Sequence, residues 1–193
     1  MKQKEKVESW SREVYETLRV LIRTILAMLL VFTLAFRLSL VRGRSMEPTL
    51  LERDLLLVLS GTLCGDYAPG DVVILQRESL QLSQIVKRVI ATEGQVVDID
   101  FSTGAVYVDG QRLQEDYINE PTYRQEGVEF PLRVPEGCVF VMGDNRNHST
   151  DSRDPRLGTV DTRYIIGKAV LLLFPGKTET SGPRDFGRIG GIG

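Results

Sequence analysis

From Thr24 to Phe36 the chain carries no charged residue, and leucine together with Ile25, Val31, Phe32 and alanines fills the run. The run is apolar nearly all round, whereas the core helix of a soluble domain keeps one wet face. At 1.5 Å per residue it covers only roughly 20 Å, short of a hydrocarbon thickness of about 30 Å. Residues 20–41 together reach about 33 Å if Arg23 and Arg37 lie near opposite interfaces and extend their guanidinium groups to the headgroups. The sequence therefore predicts one transmembrane helix over residues 20–41. No pair of small residues spaced for signal removal follows it, and Ser39 with Val41 fits that pattern poorly, so the segment reads as an uncleaved anchor. Lys2, Lys4, Lys6, Arg12, Arg19 and Arg23 precede it and orient residues 1–19 toward the cytoplasm, with the carboxyl terminus outside. Arg37, Arg42 and Arg44 on the far side weaken that bias.

The rest of the 193 residues has room for one domain of ordinary size, and 42% apolar content suffices for a core. A formal charge of -2 provides no field for nucleic acid, which is not expected as a partner. Cys64, Cys138 and the single His148 lack metal-ligand spacing, so no metal is expected. In an extracytoplasmic domain Cys64 and Cys138 are either a disulfide or two small apolar residues in separate strands.

After Gly43 short apolar runs alternate with glycine, proline and aspartate, the pattern of a mainly β domain. The expected strands are Leu55 to Leu59, Val72 to Gln76, Ile85 to Ile90, Val96 to Phe101, Val106 to Val108, Cys138 to Met142 and Ile165 to Leu173. Asp109-Gly110 marks a hairpin turn. Residues 111–135 read as a long polar excursion within the domain, which spans 42–174, and residues 175–193 as a disordered tail rich in glycine, proline and charge.

Three segments carry candidate chemistry. Ser45 lies between Gly43 and Pro48, in a turned backbone that exposes a hydroxyl, although a serine in a turn ordinarily only hydrogen-bonds its neighbours. It follows the predicted span so closely that it must lie near the membrane surface. In the second segment, strand alternation puts Lys87 on one face with Ile85, Val89 and Ala91. An apolar setting lowers a lysine pKa and frees an amine able to take a proton from serine; the ordinary alternative is a strand whose basic side chains reach water. The third, Gly143 to Arg153, is a dense polar loop. Its composition also suits calcium, but Ser149 and Pro155 stand where a calcium loop needs glycine and glutamate.

In this order behind one span, the three segments resemble those of the type I signal peptidases. Ser45-Met46-Glu47-Pro48-Thr49-Leu50 is similar to the family's serine box, Lys87-Arg88-Val89 to its lysine box, and Gly143-Asp144-Asn145-Arg146 with Ser149, Asp151, Ser152 and Arg153 to its last box. The resemblance implies a β-rich extracytoplasmic domain, a fold type shared with self-cleaving repressors, and removal of signal peptides from preproteins by cleavage after small residues. It implies Ser45 as nucleophile and Lys87 as general base, with no cofactor. It also implies that Ser149 orients Lys87, that Arg88 with Asp144 and Asp151 with Arg153 form buried supporting pairs, and that Val41, Met46, Leu50 and Val86 line shallow substrate pockets. Gly43 departs from members with a serine there, leaving the oxyanion to backbone donors, chiefly the Ser45 N–H. Arg42 and His148 also depart from the common pattern, and the excursion at 111–135 is short for the family.

Three rivals remain open at this level. A self-cleaving repressor also uses serine and lysine, but it begins with a DNA-binding module where this chain has a span. A histidine-based serine protease would have to use His148, and a membrane-tethered binding domain would need neither Ser45 nor Lys87.

Overall fold

The computed structural model of the chain describes residues 2–77, 82–177 and 184–192 and divides into two compact units, Met1–Phe36 and Arg37–Gly193. The first is a helix, α1 (Lys2–Ala35), whose stretch Arg12–Ala35 is long and apolar enough to cross a membrane. Its large side chains, among them Leu21, Leu26, Leu30 and Phe32, are exposed all round, the opposite of a core helix. Within it Thr24 and Thr33 donate their hydroxyls to the carbonyls of Val20 and Leu30, so neither adds an unpaired polar group to the apolar run.

The helix stops at Ala35, six residues before the limit expected from hydropathy, because the chain turns there into a strand, β1 (Phe36–Leu40). Hydropathy alone cannot separate the two, since Leu38 and Leu40 are as apolar as the helix; pairing with a distant strand decides the conformation.

Among the described residues, β1 and eleven further strands form two sheets. They are β2 (Leu55–Ser60), β3 (Val72–Arg77), β4 (Leu82–Thr92), β5 (Val96–Asp100), β6 (Ala105–Val108), β7 (Gln111–Arg112), β8 (Leu132–Arg133), β9 (Cys138–Met142), β10 (Val160–Asp161), β11 (Ile165–Phe174) and β12 (Gly190–Gly191). The larger sheet runs β1-β2-β11-β3-β4-β9-β10, with β12 added to β11; the smaller runs β7-β6-β5-β8. All seven expected strands are present, in a fold that is mainly β. Asp109 (φ 51) and Gly110 (φ 76) form the turn joining β6 to β7, where Val108 pairs with Gln111.

Both faces of the larger sheet are covered, which explains continuous apolar runs such as Val72 to Leu75. Val72 and Ile74 join Leu56, Val58 and Leu172 in one cluster, while Val73 and Leu75 join Val89, Val141 and Ile165 in another. The smaller sheet contributes Val97, Ile99 and Val106 to a third cluster with Ile90, Phe140 and Met142. A register shift between Val89 and Ala91 sends Ala91 to that third cluster, so the regular alternation expected through Ala91 ends at Val89.

One other expectation changes. The tail is ordered over part of its length: Asp185 accepts from the Gly187 N–H at 2.9 Å, residues 186–188 form a 3-10 turn, and β12 pairs with Leu171 and Leu172. Backbone pairing needs no apolar periodicity, which is why composition pointed elsewhere; the expected disorder at 178–183 and 193 lies outside the described residues. Cys64 and Cys138 are free thiols, both half-buried, and Cys64 Sγ donates to the Leu59 carbonyl.

Phe140 is fully buried, with its ring edge-on to Phe130 at 5.9 Å. Phe140→Ala removes that ring from the third cluster and is expected to cost about 3–5 kcal/mol, read as a lower urea midpoint at unchanged slope.

Candidate active site

The serine segment is a loop closed at its neck. The Val41 N–H donates to the Asp54 carbonyl and the Arg53 N–H to the Val41 carbonyl, both at 2.9 Å. Gly43, at φ +82, turns the chain into the loop; a Cβ there meets nothing, so backbone conformation and not space calls for glycine. Met46 and Leu50, each 1% exposed, point into the first core cluster, and the Leu50 N–H closes a turn on the Met46 carbonyl at 2.9 Å. With those two side chains anchored, Ser45 is left half-buried on the rim.

Lys87 comes from the middle of β4, opposite Val73 of β3. It is 3% exposed, and its Nζ donates to Ser45 Oγ at 2.7 Å and to the Val86 carbonyl at 3.1 Å. Burial pulls the ammonium from the ordinary lysine value of 10.5 down to about 8, against the opposing carboxylates of Asp151 and Asp144 and with the help of the Arg153 cation. An ammonium donates in the Lys87–Ser45 contact; once it loses a proton, the freed lone pair accepts from the serine hydroxyl at the same distance.

The ion pairs surrounding the dyad are buried and two-pronged. Arg88 Nε and Nη2 donate to Asp144 Oδ1 and Oδ2 at 2.9 and 2.8 Å, and Arg88 Nη1 donates to the Gly70 carbonyl. Arg153 Nε and Nη2 donate to Asp151 Oδ1 and Oδ2, both at 2.8 Å. Burial alone would raise the Asp151 carboxyl, but the Arg153 bonds and charge, joined by the Gly143 N–H at 3.0 Å, hold it below the ordinary value. Gly143 also brings the last box against the serine. A Cβ at Gly143 would overlap the Ser45 carbonyl oxygen and Ser149 Oγ, so only glycine allows this approach. Next to it, Asn145 donates its N–H to the Ser45 carbonyl and its Nδ2 to the Arg44 carbonyl, each at 3.0 Å.

Two expected roles are corrected. Ser149 is buried near Gly143, yet its Oγ makes no hydrogen bond among the described residues, and Lys87 is held instead by Ser45 and the Val86 carbonyl. Val41, Met46, Leu50 and Val86 do come together, but as core residues at 1–8% exposure in the cluster below Ser45, not as open pocket walls. Apolar side chains beside a reactive group satisfy the core first. His148 is exposed, and it is Lys87 that contacts the serine.

Several residues without an assigned role complete the site. Thr49 donates its hydroxyl to Asp144 Oδ2 at 2.5 Å, and Tyr117 presents its ring 4.1 Å from the Arg88 guanidinium. Arg146 is fully buried and donates to the Gly143 carbonyl, to Thr122 Oγ1 and, at 2.5 Å, to Glu115. Tyr117, Thr122 and Glu115 all lie in the polar excursion, which is therefore a scaffold for the last box. The density of Arg and Asp between 144 and 153 was the available signal; the distant partners left none in sequence.

Sequence and structure comparisons bear on the same residues. Residues 14–174 match the family described as signal peptidase, peptidase S26. The signal peptidase I of Bacillus licheniformis is 33% identical over 179 residues, covering 89% of this chain and 94% of the relative. A probable signal peptidase I-1 of Synechocystis is 40% identical over 167 residues, covering 81% and 80%. A crystal structure of a signal peptidase I from Enterococcus faecalis V583 aligns over 53% of this chain and 96% of its own, at 29% identity and a TM-score of 0.45. A family match spanning all three boxes, with relatives that align over at least 80% of both chains, places this chain in the signal peptidase family, peptidase S26.

Proposed function

We propose that the chain is a membrane-anchored serine endopeptidase that removes amino-terminal signal peptides from preproteins, with Ser45 as nucleophile and Lys87 as general base. The observation that carries this reading is the 2.7 Å contact between Ser45 Oγ and a lysine that burial brings to about pH 8. The neutral amine takes the hydroxyl proton as Oγ adds to the scissile carbonyl. The resulting ammonium returns that proton to the leaving amine, which frees the mature protein with its new amino terminus and leaves the signal peptide as an ester on Ser45. Water then attacks the ester, again losing its proton to Lys87. The Ser45 N–H is the proposed donor to the oxyanion.

Arg88 with Asp144 and Asp151 with Arg153 are proposed to hold the two boxes in register around the dyad. Cleavage after small residues at the minus-one and minus-three positions is proposed from the likeness of the three boxes to those of the family. The span Arg12–Ala35 is proposed to cross the plasma membrane with its amino terminus in the cytoplasm, where Lys2, Lys4 and Lys6 precede it and Arg12 and Arg19 lie at its near end. That topology puts Ser45 at the outer surface, where a membrane-held signal sequence ends.

The detergent-solubilised chain is expected to cleave a secretory precursor after a small residue. Ser45→Ala and Lys87→Ala should each lower kcat/KM by on the order of 10⁴-fold, while His148→Ala should leave it unchanged. Wild-type cleavage by Ser45→Ala contradicts the proposal. Because the base acts only when neutral, kcat/KM should rise about tenfold per pH unit toward about pH 8 and level off above it; a rate flat from about pH 5 to 9 excludes Lys87 as the base. Arg153→Met strands the Asp151 carboxylate without its partner and should cost about 3–5 kcal/mol in chemical denaturation.

A further inference from the structure

The end of the chain returns to the neck of the serine loop. Asp54, which closes that neck, is fully buried and accepts four hydrogen bonds: from the Leu51 N–H at 2.8 Å, the Gly176 N–H at 2.6 Å, and Arg188 Nη1 and Nη2 at 3.2 and 2.6 Å. Among the described residues, Arg188 is the cation paired with it. Arg188 Nη2 also donates to the Thr49 carbonyl at 3.1 Å. Thr49 is thus held from two sides, its backbone by the tail and its hydroxyl by Asp144, itself clamped by Arg88.

Two further contacts show that the tail is fitted to this place. A Cβ at Gly176 would overlap the Glu52 carbonyl and the backbone of Arg53, so the chain passes flush against the neck. Beyond Arg188, β12 pairs with β11 and Ile192 packs on the cluster containing Val41, Met46, Leu50 and Val86, the apolar floor beneath Ser45.

We propose that the carboxyl-terminal segment Asp185–Ile192 is a positioning element for the nucleophile, with Arg188 fixing the serine loop against Lys87. The proposal rests on the reading of Ser45 and Lys87 as the reacting pair. Arg188 touches neither; it acts through Thr49 and Asp54. Loss of its guanidinium frees the Thr49 carbonyl and lets the loop shift, and a misplacement of about 1 Å is worth up to roughly 10² in rate. Binding of the signal peptide should change little, so the effect falls on kcat rather than KM.

The test uses the full chain in detergent with a secretory precursor and compares Arg188→Met, the double variant Arg188→Met with Asp54→Asn, and Ser45→Ala. Arg188→Met should lower kcat about tenfold with KM within about twofold, and should also lower the unfolding temperature because Asp54 loses its counterion. The double variant removes that stranded charge, so its unfolding temperature should recover while kcat stays about tenfold low. Recovery of kcat together with the unfolding temperature makes Arg188 merely structural and overturns the proposal, as does wild-type kcat in Arg188→Met. Should the single variant fail to fold, the double variant alone decides by the same criterion. Active Ser45→Ala would bring down the dyad reading instead, whereas inactive Ser45→Ala beside wild-type Arg188→Met rejects only the positioning role.

Discussion

A lysine amine held in the interior against a serine hydroxyl sets the terms for the rest of this domain. Burial makes the amine a usable base, and burial is also what the fold must withstand: with its pKa brought from 10.5 to about 8, protonated Lys87 destabilises the native state by about 3 kcal/mol relative to an exposed lysine. The unfolded chain binds that proton more tightly, so this contribution to stability improves as pH rises from about 8 toward 10.5. A group that works against folding has to be held by its surroundings.

Those surroundings are polar, and their buried arginines are paired. Three arginines, Arg88, Arg146 and Arg153, lie buried close to the dyad, each forked onto a carboxylate and onto a backbone carbonyl. Such pairs give little net stability, since desolvation consumes most of their attraction, but they tolerate few alternative geometries. Two of them join segments far apart in sequence, β4 to the last box and the last box to the excursion, while Asn145 and Gly143 bring the last box against the serine loop. The first core cluster supplies the complementary force from below, drawing Met46 and Leu50 inward so that Ser45 stays at the rim.

What was legible in the sequence was local. Strand positions followed from apolar runs, the β6–β7 turn from Asp109-Gly110, and the contact between Ser45 and Lys87 from two short segments whose chemistry fits only together. What was not legible depends on partners distant in sequence. The helix yields to a strand at Phe36 because β2 offers backbone pairing, a contact invisible in hydropathy. The tail is ordered over residues 184–192 because β11 and Asp54 receive it, partners that its own composition does not reveal. Arg146 reads as an ordinary loop cation until Glu115, in a stretch of unremarkable polarity, is folded against it. Apolar residues next to Ser45 read equally as pocket or core, and only their burial separates the two.

The central claim is that the folded domain holds Lys87 as a base of near-neutral pKa. It is tested most directly by titrating the Lys87 side chain itself, with carbon-13-labelled lysine followed by NMR in the detergent-solubilised chain and the signal assigned by its absence in Lys87→Arg. The account predicts a midpoint of about 8. A midpoint at the ordinary lysine value of 10.5 would mean that the amine is charged at working pH and would contradict it.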